Sequence, residues 1–217
     1  MESSILNEQQ KLILREFGED DRLSSVFYFT GGTALSEVYL KHRESVDLDF
    51  FTQGQVNPQT ILEIITAWSV KYKFSIQPQF VDPTYIYLLS FTNGSQLKVD
   101  FARYPYKNLE EFGSYLGIKV DSLFDIGANK LLTINQRNEV KDFVDLYFIL
   151  KLFNFWQLRD GVLQKFNIEL DPYLMAADFT KVEDFEIMPK MHKKLELNTL
   201  KDFFRKQAQE LSKESTE

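Results

Sequence analysis

The sequence predicts an α+β fold: a small mixed β-sheet with flanking helices, followed by a mainly helical C-terminal lobe. Three observations carry that expectation. Segments rich in β-favouring residues, several with alternating polar and apolar positions, are confined to the chain up to about Tyr104. After Pro105 the texture changes, and apolar residues fall in helical stretches instead. Asn93-Gly94, between two alternating runs, is the dipeptide that most strongly signals a hairpin. The organisation expected is a core over residues 1–104 and a helical lobe over residues 105–217.

Taken in order, residues 5–17 (ILNEQQKLILREF) place Ile5, Leu12 and Phe17 among polar residues at roughly helical spacing, which predicts an amphipathic opening helix. The acidic run Glu19-Asp20-Asp21 separates it from Val26-Phe27-Tyr28-Phe29, read as a buried strand. Gly31-Gly32 stops that strand, and Thr33 is placed to cap a helix from Ala34 to about Lys41. Val46 to Phe51 reads as a strand with strict alternation at its centre. Asn57 or Thr60 opens a helix to about Tyr72, with Pro58 in its first turn. Phe74 to Phe80, Tyr85 to Phe91 and Leu97 to Tyr104 are further strands. Helices follow over about 121–136, 139–153 and 157–166, with more from 172 onward, and the final SKESTE reads as frayed.

A chain of 217 residues is long enough for one large domain or a core with a second lobe. Its 44% hydrophobic and 26% charged residues suit a soluble globular protein, and 20 Phe can fill a substantial core. The absence of Cys excludes disulfides, thiolate metal sites and Cys nucleophiles, and fits a reducing compartment. The opening MESSILNEQQK lacks a basic start followed by an apolar block, so no secretory leader is expected. The run Leu146 to Leu150 is far too short to span a bilayer, so no membrane partner and a cytoplasmic location are expected. A net charge of −7 argues against nucleic-acid binding over the whole surface while leaving room for a local basic patch. His42 and His192 are too few and too far apart to suggest a metal site, and neither is assigned a role.

The chemistry lies in the acidic strands. Asp47 and Asp49 are two apart, so their side chains leave one face while Val46, Leu48 and Phe50 turn to the core. Leu97, Val99 and Phe101 likewise alternate with Lys98 and Asp100. If the two strands are neighbours, three carboxylates converge. Such a cluster is costly without cations, because each carboxylate raises the pKa of the others. Divalent metal removes the cost, and Mg²⁺ takes hard oxygen ligands while keeping waters and substrate phosphates in its shell. A lone Asp-x-Asp is more often solvated surface, but Asp is disfavoured in strands, and here three are bracketed by large apolar residues. Gly31-Gly32-Thr33, between strand and helix, lets a backbone approach a phosphate closely and presents free N–H groups. Alone, a Gly-Gly turn that ends a strand is more often only a turn.

FTGGTAL, KHRESVDLDFF, LKVDF and DIGANKLLTINQRNEVKDFVDLYFIL occur in that order over about residues 26–153. Together they closely resemble the AbiEii/AbiGii-type nucleotidyltransferase toxins, a branch of the DNA polymerase β-like nucleotidyltransferase superfamily. The superfamily at large has a Gly-Ser turn and a shorter gap before Asp-x-Asp; this chain has Gly-Thr and a longer helix, as the AbiEii-like branch does. The resemblance implies transfer of an NMP from an NTP to an acceptor hydroxyl, in a cleft between core and lobe. It implies that Gly31, Gly32 and Thr33 bind the triphosphate, and that Asp47 and Asp49 hold Mg²⁺ or Mn²⁺. Asp100 would complete the metal site and help deprotonate the acceptor.

Arg43 and Ser45 occupy the family's Arg-x-Ser-x-Asp pattern as nucleotide-binding residues. Arg43 would pair with phosphate or with Asp49, or else is an exposed arginine closing a helix C-terminus. Lys130, with Arg137 on roughly the same helical face, would contact the nucleotide phosphates; the alternative is a solvated lysine. Asp125 reads as a first-turn residue favoured by the helix dipole. Asp142 and Asp145 lie three apart on one face of a very apolar helix and need partners, with Lys130, Arg137 and Lys141 as candidates. The resemblance makes these acids the last catalytic motif; a plain interhelical ion pair is the alternative. The implied partners are the NTP, tRNA or another RNA as acceptor, and a cognate antitoxin. Lys190 to Lys194, with His192 inside, is the richest basic stretch, but residues 181–217 carry as many acids as bases and read rather as a solvated helix face. Two rival functions stay open: a related phosphotransferase and a non-catalytic nucleotide-binding module.

Overall fold

The computed structural model describes residues 4–214, which divide into two units. The first takes residues up to Tyr39, then Ser45–Lys107 and Glu111–Asp121; the second takes Leu40–Glu44, Asn108–Glu110 and Ser122 onward.

The first unit opens with α1 (Glu8–Glu19), started by a capping box in which Asn7 and Gln10 bond each other's backbone N–H. Its buried apolar face is Ile13, Leu14 and Phe17, so Leu12 lies at the flank and Ile5 precedes the helix. The acidic run is more than a separator: Asp20 caps a short helix, α2 (Asp21–Ser24), through Arg22 N–H. β1 (Tyr28–Thr30) leads into α3 (Gly31–Ala34), which continues as a π-helix over Leu35–Leu40. The cap expected of Thr33 is not made: Thr30 is the N-cap, and Thr33 sits inside the helix with its hydroxyl donated to the Asp47 carbonyl.

β2 (Leu48–Thr52) is followed by α4 (Pro58–Tyr72), whose first N–H groups at Gln59 and Thr60 both donate to the Asn57 side chain at 3.2 Å. Three antiparallel strands then form a meander: β3 (Phe74–Val81), β4 (Thr84–Phe91) and β5 (Gln96–Arg103). The hairpin marked by Asn93-Gly94 joins β4 to β5, with Gly94 at a φ of +84°. A further hairpin, β6 (Gly113–Tyr115) and β7 (Ile118–Val120), corrects the expectation that the strands end at about Tyr104. Its turn runs through Leu116 and Gly117, both at positive φ.

The strand order is β3-β4-β5-β2-β1-β7-β6, with β2–β5 and β1–β7 parallel and the other pairs antiparallel. On one face Phe29, Phe50 and Phe101 stand in a cross-strand row, and Phe17 of α1 stacks on Phe50 with centroids 3.9 Å apart. All four rings are fully buried, and this apolar load fixes which way β1, β2 and β5 face. The same registers place Thr30, Asp49 and Asp100 side by side on the opposite face.

The second unit contains α5 (Leu123–Gln136), α6 (Val140–Ile149), α7 (Phe155–Phe166), α8 (Pro172–Thr180) and α9 (Leu197–Glu214). Phe143, Phe179 and Phe204 meet edge-to-face in its core. Asp125 is more than a first-turn acid. It is wholly buried and accepts from Leu109 N–H at 3.0 Å, Glu110 N–H at 3.1 Å, Ser122 Oγ at 2.8 Å and Lys165 Nζ at 2.6 Å. It therefore ties residues 108–110 to α5 and α7. The Lys190 to Lys194 stretch is no helix face: Met191 bridges Arg43, and the His42 carbonyl accepts from the backbone of His192 and Lys193. Ser212 to Glu214 end α9, and the rest of the expected frayed run lies outside the described residues. Among the described residues no helix is long and apolar enough to cross a membrane.

Candidate active site

Leu48 and Phe50 of β2, and Val99 and Phe101 of β5, are buried on the aromatic face, which forces Asp49 and Asp100 onto the other. The two strands pair in parallel with Asp49 directly opposite Asp100. Asp47 lies one residue before β2 rather than on it, and Val46, expected in the core, is 67% exposed. The alternation begins only at Leu48. Thr33 holds the main chain of Asp47 through its hydroxyl.

Lys98 Nζ stands 2.7 Å from Asp100 Oδ2 and 3.4 Å from Asp47 Oδ2, so the space between those carboxylates already accepts a cationic group. Asp100 Oδ1 is buried without a hydrogen-bond partner. Burial pushes the Asp100 carboxyl above the usual range, Asp47 adds to the rise, and Lys98 opposes it. Burial pulls Lys98 down, but Asp100, Asp47 and Asp49 outweigh it and hold the ammonium above its ordinary value. Hard carboxylate oxygens, one of them orphaned, around a stand-in cation fit Mg²⁺ or Mn²⁺. Among the described residues, no three His, Asp or Glu side chains close on one point as a finished cage.

The glycine turn is built against the same row. Gly31 has a φ of +73°, and a Cβ there would lie 2.2 Å from Asp49 Oδ2. Glycine is required both by the backbone conformation and by the carboxylate against it. Thr30, opposite Asp49, donates to Asp121 Oδ2 at 2.9 Å, and Asp121 is fully buried at the end of β7. Asp121 escaped the sequence reading; its signal is the apolar alternation Ile118, Val120 just before it. Ser45 also belongs to this unit, its carbonyl accepting from Gln10 Nε2 at 2.8 Å.

The remaining candidates form a second cluster, in the second unit. Lys130 of α5 donates to Asp142 Oδ1 at 2.7 Å and lies 2.6 Å from Asp145 Oδ2. Arg43 grips Asp145 with both arms, Nε at 2.6 Å and Nη2 at 2.7 Å. Arg137 does the same to Asp142, at 2.8 and 3.1 Å. His42 Nε2 lies 2.7 Å from Asp145 Oδ1. Lys130 is thus no solvated lysine, and Arg43 no exposed helix-closing arginine: both are buried. Lys141 pairs with Glu139 instead of the helix acids.

Three cations face two carboxylates, and both acids are held below the ordinary Asp range. Burial works against that, but Lys130 and Arg43 win at Asp145, and Lys130 and Arg137 at Asp142. Lys130 is pulled down by burial yet ends above its ordinary value because of Asp145 and Asp142. Burial lowers the His42 pKa against the pull of Asp145. His42 carried no sequence signal of this role, since its partner is 103 residues away.

The first unit therefore holds Gly31, Gly32, Thr33, Ser45, Asp47, Asp49 and Asp100, and the second holds Arg43, Lys130, Asp142 and Asp145. The fold is that of a nucleotidyltransferase. A putative nucleotidyltransferase from H. pylori superposes with a TM-score of 0.61 at 20% identity, covering 96% of this chain and 97% of that one. JHP933 from Helicobacter pylori gives 0.58 at 20% identity, covering 97% of each. At this identity the likeness is one of fold. Residues 12–214 match the family described as "Nucleotidyl transferase AbiEii toxin, Type IV TA system", and the chain belongs to that family. It is also 34% identical over 139 residues to the uncharacterized protein aq_aa25 of Aquifex aeolicus (strain VF5), a match spanning 62% of each chain.

Proposed function

We propose that the protein transfers an NMP from an NTP to a hydroxyl of an RNA acceptor, tRNA in particular, with release of pyrophosphate. We further propose that it acts as the toxin of a toxin–antitoxin pair in the cytoplasm. Family membership supports the reaction class and the toxin role. The observation that carries the chemistry is the register of Asp49 against Asp100, with Asp47 joined to them through Lys98 and the Gly31 backbone beneath Asp49.

Asp47, Asp49 and Asp100 are the residues to hold Mg²⁺ or Mn²⁺, which when bound supplies charge neutralisation for the attacking and leaving oxygens. Asp100, the most buried of the three, also accepts the proton of the acceptor hydroxyl. Gly31, Gly32 and Thr33 offer backbone N–H donors, and Ser45 a hydroxyl, to the triphosphate, with Arg43 and Lys130 as its cationic partners. Asp142 and Asp145 orient Lys130 and Arg43. Catalysis of this kind comes from positioning and charge rather than from a covalent intermediate.

The test is incubation with α- and γ-labelled NTPs, total RNA and Mg²⁺, beside Asp47→Ala and Asp49→Ala. Label entering RNA from the α position only, and absent with both variants, is expected. Label transferred only from the γ position would make the protein a phosphotransferase, and binding without turnover of any NTP would leave a non-catalytic module. Gly31→Ala is expected to keep the native circular dichroism but to lower transfer by about a hundred-fold, because it must move Asp49 or the turn. Wild-type rates in that variant would detach the turn from the chemistry.

A further inference from the structure

Lys98 has no part in the transfer proposed above, yet its position is set by the same backbone that sets the acids. Strand parity puts it on the acid face of β5, two residues before Asp100. Its ammonium is shared between Asp100 Oδ2 at 2.7 Å and Asp47 Oδ2 at 3.4 Å, with the side chain 37% exposed. A divalent ion bound by those oxygens would sit at about 2.1 Å from each. The ammonium and the ion would then be like charges within a few ångströms, in a site shielded from water on one side. The two therefore compete for these carboxylates. The four-carbon stem of lysine lets the ammonium leave without moving the strand.

We infer that Lys98 is an internal counter-cation of the acid row, displaced when the divalent ion binds and then paired with the polyphosphate of the incoming nucleotide. The inference rests on the reading of Asp47, Asp49 and Asp100 as the metal site. Two consequences follow from charge alone. Without nucleotide, the ammonium competes with the metal and keeps its affinity low. With nucleotide, the displaced ammonium gains a new anionic partner, so metal and NTP each tighten the binding of the other. Lys98 thereby keeps the acid row partly neutralised until both arrive.

The test is a Mn²⁺ titration of the full chain, read from the electron paramagnetic resonance of free Mn²⁺, with and without a non-hydrolysable NTP analogue. Lys98→Met is expected to bind Mn²⁺ about ten-fold more tightly than wild type when no analogue is present. The analogue should then tighten Mn²⁺ binding less in Lys98→Met than in wild type. Lys98→Arg, which keeps the charge, should stay near wild type. Equal or weaker Mn²⁺ affinity in Lys98→Met overturns the inference and leaves the metal reading standing. Failure of both proteins to bind Mn²⁺, with or without the analogue, removes the metal reading and this inference with it.

Discussion

Asp100→Asn is expected to lose nucleotidyl transfer by at least about a thousand-fold while remaining as stable as the wild type, or more so. The two halves of this result have one cause. Asp100 is 9% exposed, its Oδ1 lacks a partner, and only Oδ2 is bonded, to Lys98. A buried carboxylate oxygen without a partner costs folding free energy, and a neutral amide of the same shape costs less. Lys98 is half-exposed and keeps Asp47 within reach, so losing its other partner costs little. The amide cannot serve as a charged metal ligand or take a proton, so the chemistry goes while the fold stays. Rates from α-labelled NTP and urea midpoints measured in EDTA separate the two effects. Transfer within about ten-fold of wild type would show that Asp100 is neither ligand nor base. A large fall in the urea midpoint would show that the carboxylate serves the fold.

The acid row was readable in advance because strand parity is local. Leu48 and Phe50, and Val99 and Phe101, dictate the orientation of Asp49 and Asp100 whatever the rest of the chain does. That β2 and β5 would be neighbours in parallel was not local, and it is the long-range fact on which their convergence depends. The meander around Asn93-Gly94 and helices α4 to α8 were legible for the same reason: turn chemistry, caps and period act within a few residues. The β6–β7 hairpin was not, because its strands are three residues long and its turn uses Leu116 where Asn or Asp would be usual. Thr33 looked like a cap because it follows two glycines. The helix instead begins at Gly31, three residues earlier, with Thr30 as its N-cap. Two of the partners of Asp145 were the least legible. Arg43 and His42 lie 102 and 103 residues away, and no periodicity links them to α6.

Asp145→Asn is expected to destabilise the protein by about 3–5 kcal/mol, the largest stability effect of any single change in either cluster. Asp145 is wholly buried and is contacted by Arg43, Lys130 and His42 at 2.6–2.7 Å. Its amide would leave two buried cations facing a neutral group, with only Asp142 remaining as counter-charge to Lys130. The pH dependence of the wild type checks the same cluster independently. His42 has a folded-state pKa below its ordinary 6.5, so its neutral form is the one the fold favours. Its contribution is complete above pH 6.5 and is lost as pH falls below that value. Asp142 and Asp145 are depressed below 3.8, so their contribution is present above that pH and lost on further acidification. All three groups act in one direction, so stability should fall in two stages as pH drops from 8: the first beginning near pH 6.5, the second below pH 4. Urea midpoints measured across that range give the curve, and His42→Gln should erase the upper stage while leaving the lower one. An upper stage that survives in His42→Gln would assign it to another group. An unfolding free energy of Asp145→Asn, from urea titration, within about 1 kcal/mol of wild type would mean that the buried cations do not depend on that carboxylate.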